Sequence, residues 1–137
     1  MPLPEITSTI RQMTTYDLLA AIILNKPGNP KFQEEALAFG LRQVVGHHRR
    51  LEQKLFTLRS DGGQEHTNNL EASLGIMNGF HILEYTGGYQ AMYVPEGMKK
   101  IVTASLQERN GNDILEEVKP FALAVWGEAA RYNSTSD

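Results

Sequence analysis

Residues 37–58 read LAFGLRQVVGHHRRLEQKLFTL, and the fold turns on how this stretch is taken. Leu37, Leu41, Val44, His48, Leu51, Leu55 and Leu58 recur at steps of 4, 3, 4, 3, 4 and 3. That spacing lines them up along one side of a helix, as a seam that needs an apolar partner. We read one helix over 30–60, with Pro30 in its first turn and Glu34 and Glu35 complementing the helix dipole. Gly40 and Gly46 lie inside it. Each costs about 1 kcal/mol relative to Ala, so each marks a candidate close approach by a partner.

The nearest partner for the seam is in the chain itself. Leu70, Leu74, Met77 and His81 continue the spacing on a helix over 66–83, beyond the stop at Ser60-Asp61-Gly62-Gly63. A short connection between two such helices predicts an antiparallel helical hairpin. Self-association is the other way to bury the seam. A homo-oligomer is expected on that ground, and because the aromatics Tyr85, Tyr89, Tyr93 and Trp126, the last read as core or interface, exceed what one small core needs.

Working outward, Thr14 is placed to cap a helix over 13–25, with Leu18, Leu19, Ile22 and Ile23 on its apolar side. Two prolines and a glycine between Asn25 and Pro30 stop it. Residues 1–12, which begin with two prolines, read as extended or irregular. Towards the C-terminus, the runs 89–94 and 100–104 are rich in aromatic and β-branched residues around the turn Pro95-Glu96-Gly97. They read as a small antiparallel β-hairpin over 88–105, with a helix from Glu96 to Glu108 as the competing assignment. The last helix, over 113–132, turns Ile114, Val118, Phe121, Val125, Ala129 and Tyr132 to one side, and Pro120 is expected to kink it. The fold class is a helix-dominated α+β single domain over 1–137: a helical hairpin, N- and C-terminal helices and a small antiparallel β-hairpin.

The totals narrow the function. Thirteen basic against sixteen acidic residues give a formal charge of −3, which makes no global case for nucleic-acid binding and is too small for a DNA mimic. There is no cysteine, so disulfides, thiolate catalysis and Cys-ligated zinc are excluded, and a reducing cytoplasm is compatible. The N-terminus lacks a basic segment followed by an apolar one, so no signal peptide is expected. The longest apolar run, Leu18 to Leu24, is seven residues, too short for a membrane span.

No catalytic set emerges. His48 and His81 both fall on the seam, about a turn apart in the predicted hairpin, but no i,i+4 His/Glu pair joins them into a metal site. Glu116 and Glu117 are adjacent on a helix and point apart. Ser60, Asp61 and His66 lack a nucleophile-elbow frame. Thr86-Gly87-Gly88 lacks the spacing of a phosphate loop. No enzyme, metal or cofactor is expected.

Charge patterning is the strongest polar signal. Residues 42–59 hold five Lys or Arg against the single acid Glu52. With His47 they form a basic face: Arg42, His47, Arg49, Arg50, Lys54 and Arg59. Such a face is an ordinary solvated surface, a dock for an acidic protein, or a site for phosphates of a nucleotide. No groove-reading motif accompanies it, so sequence-specific DNA binding is not expected. Tyr85, Tyr89 and Tyr93 form a second candidate binding segment.

The stretch from Leu83 to Tyr132 resembles the plasmid-borne antirestriction protein family. The likeness rests on Glu84-Tyr85-Thr86-Gly87-Gly88-Tyr89 and on Asn110-Gly111-Asn112 before a final acidic-then-apolar helix through Ala122, Ala124 and Ala130. Those small α+β proteins relieve type I restriction without mimicking DNA. The resemblance implies a non-enzymatic protein of a phage or mobile element, countering a host defence by binding a host protein or sequestering a nucleotide signal. It assigns no functional residue. The alternative is a structural or assembly subunit, such as a virion or scaffold component.

Overall fold

A helix whose whole circumference is apolar belongs at the centre of a small domain, and α2 (Thr15–Leu24) is that helix. Its residues Leu18 to Ile23 are all buried. The structure, a computed structural model, describes residues 5–60, 66–89 and 91–135. Around α2 lie α1 (Ser8–Gln12), α3 (Glu34–Val45), α4 (Arg49–Phe56), α5 (Asn69–Gly79), α6 (Glu96–Asn110) and α7 (Ile114–Thr135). α2 packs on α5, α6 and α7, α3 lies along α7, and α4 packs on α5. The protein is thus helix-dominated, with two two-residue antiparallel ladders. β1 (Arg59–Ser60) pairs with β2 (His66–Thr67), and β3 (Glu84–Tyr85) with β4 (Met92–Tyr93).

The starts of α1, α2 and α5 are capped by side chains. The hydroxyls of Thr7 and Thr14 accept from the N–H groups of Ile10 and Asp17, at 3.3 and 3.1 Å. The Asn68 side-chain Oδ1 accepts from the Glu71 N–H at 2.8 Å. Each bond satisfies a donor that a helix N-terminus leaves unpaired. At the C-terminal end of α2, the Trp126 indole donates to the Ile22 carbonyl at 2.8 Å and Asn25 Nδ2 to the Leu115 carbonyl at 3.0 Å, tying α2 to α7.

The single helix expected over 30–60 is instead two. α3 ends at Gly46, and His48 has φ −119° and ψ 87°, outside the helical range. A straight 30-residue helix would be about 45 Å long. A domain of this size has a radius of gyration of about 14 Å, so such a rod would leave much of its seam without a partner. The break folds α4 back: the Arg42 guanidinium stacks on the Phe56 ring, 4.1 Å from its centroid. In one straight helix these residues would be about 21 Å apart along the axis. Leu37, Leu41, Val44, Leu51 and Leu55 are buried in the chain's own core, whereas Leu58 is 60% exposed.

The hairpin expected over 88–105 is also corrected. Residues 96–110 form α6, and among the described residues of this stretch strand pairing joins 84–85 to 92–93, beside a bridge from Met92 to Phe32. Val102 and Leu106, one turn apart, are buried, while Ile101 is 61% exposed. Burial at helical spacing overrides the β-propensity of the Ile-Val-Thr run. Residues 8–12, read as extended or irregular, form α1. The helices expected over 13–25 and 66–83 cover 15–24 and 69–79. α7 runs through the exposed Pro120 as one helix.

α3 and α7 meet at Gly40. A Cβ there would stand 2.3 Å from the Val125 carbonyl oxygen and 3.0 Å from the Ala129 nitrogen. Only glycine allows this approach.

Candidate functional site

The break at residues 46–48 creates the site. It gives α4 a free N-terminus, and the His48 Nδ1 accepts the Leu51 N–H at 3.2 Å, capping it. Nδ1 is thereby an acceptor, so the ring hydrogen sits on Nε2. α1 forms the opposite wall. The Lys54 ammonium fastens the walls together by donating to the carbonyls of Arg11, at 3.4 Å, and Met13. Burial pushes the Lys54 pKa below its ordinary value. Its position at the α1 C-terminus favours the charged form, because helix carbonyls concentrate negative charge there.

Between the walls lies a cleft of about 510 Å³. Ser8, Arg11 and Gln12 line it from α1, and His48, Arg50 and Lys54 line it from α4, with the buried Leu51 as floor. No described carboxylate lines it. Among the described residues, the salt bridges are His81–Glu84, Lys99–Glu96, Arg109–Asp17 and Arg131–Glu128. None of them engages Arg11, Arg42, Arg49, Arg50 or Lys54. In a chain with more acids than bases, these cations stand together without an ion pair among the described residues.

The basic face is therefore divided. Arg50 and Lys54 enter the cleft. Arg42 is spent on Phe56, and His47 and Arg49 are exposed outside it. The Arg59 side chain lies outside the described part of the structure, as do those of Tyr89 and His66, and all of Asp61. Arg11, Gln12 and Ser8 were missed by reading 1–12 as extended or irregular. The signal that marks them is Thr7 three residues before Ile10, with Ile6, Ile10 and Met13 at helical spacing.

The aromatic segment is a separate place. Tyr85 lines an open depression of about 470 Å³ with Asn78, His81, Glu84, Thr86 and Gly87-Gly88. Tyr93 is half-buried on β4 and does not line it. This depression shares no residue with the cleft. His81 follows α5 with φ +62°, and its Nδ1 lies 3.0 Å from Glu84 Oε1. The Ile82 N–H donates to the Met77 carbonyl at 2.8 Å, so His81 occupies the left-handed position that ends a helix and that glycine usually fills. His48 and His81 thus serve two different helix ends. Among the described residues no group of three His, Asp or Glu is placed to hold a metal ion. None of the described helices is long and apolar enough to cross a membrane.

Comparisons with protein-family models, with curated proteins and with solved structures give no match.

Proposed function

We propose that this protein is a non-enzymatic binding protein that takes an anionic partner in the α1–α4 cleft and thereby counters a host defence. One observation carries the binding half: Arg11, Arg50 and Lys54 converge on a concave site lined by no described carboxylate. The resemblance of residues 83–132 to antirestriction proteins supports the counter-defence half, whether by occupying a host protein or by sequestering a nucleotide.

Transformation efficiency tests both halves together. Unmodified plasmid is introduced into bacteria carrying a type I restriction system, with and without this protein. The wild-type chain should raise transformation about tenfold or more, and the double variant Arg11→Glu, Arg50→Glu should not. Arg49→Glu, outside the cleft, should behave as wild type. Equal transformation with and without the wild-type chain would overturn the counter-defence role.

A second reading has its own support. Ile76 on α5 and Phe80 at its C-terminal cap lie one turn apart and are 50% and 72% exposed, an apolar face that an assembly subunit could use. Under this reading the protein self-associates. Light scattering across concentration separates the two: open-ended growth favours the assembly subunit, a monomer or small closed oligomer the binding protein.

A further inference from the structure

Resting on the reading of the α1–α4 cleft as an anion site, we infer that its ligand is a small molecule bearing two or more linked phosphates, rather than an acidic protein. Shape is the first argument. About 510 Å³ lies within the range of small-molecule sites. A protein partner needs a broad contact area, typically about 800 Å² on each side, not a hollow between two helix ends.

Donor chemistry is the second argument. Arg11 and Arg50 bring guanidinium groups from the two walls. A guanidinium presents paired N–H donors that match two oxygens of a phosphate or of a carboxylate, and a phosphate adds a higher charge and a third terminal oxygen for a further donor such as His48 Nε2. Two arginines on opposite walls match two phosphate groups. The Lys54 ammonium already donates to two carbonyls, so it adds charge more than a new bond. His48 contributes a neutral donor at Nε2, because its Nδ1 is occupied by the α4 cap.

The third argument is what the cleft lacks. Among the described residues no Phe, Tyr or Trp lines it, His48 is its one ring and Leu51 its one apolar side chain. Among the described lining residues no apolar wall buries an acyl chain, and only the His48 ring and the arginine planes are left to face a base. Affinity must come from the charged groups, so the ligand is held by its phosphates and the rest of it extends outward. Linked phosphates offer each wall its own phosphate group.

Calorimetric titration of the full chain in low-salt, magnesium-free buffer tests this with three probes: pyrophosphate, orthophosphate and a decaglutamate peptide. Pyrophosphate should bind about tenfold or more tightly than orthophosphate. Arg11→Ala and Arg50→Ala should each weaken it about tenfold, with circular dichroism unchanged because both side chains are exposed. His48→Asn retains a good cap but loses the Nε2 donor, and should weaken binding severalfold. If decaglutamate binds through the same arginines and pyrophosphate does not, the phosphate inference fails and the anion site stands. Pyrophosphate binding that ignores both arginine variants also overturns the inference. If no probe binds, both readings fall.

Discussion

Gly40→Ala is expected to cost about 2–3 kcal/mol of folding stability, although alanine is the better helix former. The new methyl carbon would stand 2.3 Å from the Val125 carbonyl oxygen, which is backbone of α7 and has no rotamer to move into. α3 and α7 would have to separate along the broadest helix contact in the domain. Gly75→Ala is the control. Gly75 is also inside a helix but on its exposed side, and nothing lies within 4 Å of its added Cβ. There the ordinary propensity gain of about 0.5–1 kcal/mol should appear as stabilisation. Urea unfolding of the two variants should give shifts of opposite sign. Equal shifts would mean that α3 and α7 do not meet at Gly40.

Arg109→Ala should cost about 2 kcal/mol, by leaving the buried Asp17 carboxylate without its counter-charge. Arg109 donates to Asp17 at 2.7 and 3.1 Å, and Asn110 adds a bond at 3.1 Å. Asp17 is nearly inaccessible, while the Arg109 side chain is 47% exposed, so the value is set below that of a fully buried pair. Burial alone pushes the Asp17 pKa up. The hydrogen bonds from Arg109 and Asn110 and the arginine charge outweigh it, and the net pKa is below the ordinary carboxylate value. The unfolded chain therefore binds more protons than the folded one just below pH 4. The stabilisation is complete above that range and is lost as pH falls through the folded pKa. In Arg109→Ala burial prevails, the carboxyl pKa rises, and acid should no longer weaken folding through this group. Thermal unfolding from pH 2 to 7 reads the difference; parallel curves for wild type and variant would show that the pair is not coupled to folding.

Much of the core was legible because local chemistry and burial agree there. Thr14 caps α2, Gly40 marks a close helix approach, and Leu37, Leu41, Val44, Leu51 and Leu55 are buried. What the 4-3 spacing could not show is that the chain turns between Val44 and Leu51. Gly46, His47 and His48 are weak helix formers, but only the limited size of the domain makes them a break. The spacing of Val94, Met98, Val102 and Leu106 carried the α6 signal, masked by a β-branched run that is partly exposed. Arginines 42, 49, 50 and 59 were conspicuous as a group. Arg11 was not, because its place in the cleft depends on α4 folding back and on Lys54 anchoring α1, neither of which is encoded within a few residues of it.

Amide chemical-shift mapping with pyrophosphate tests the central claim that the α1–α4 cleft is the binding site. The amides of Arg11, Gln12, Arg50 and Leu51 should move with saturable, common dependence on ligand, while Tyr85 to Gly88 stay in place. Shifts confined to the Tyr85 depression, or a linear drift spread over all surface amides, would contradict it.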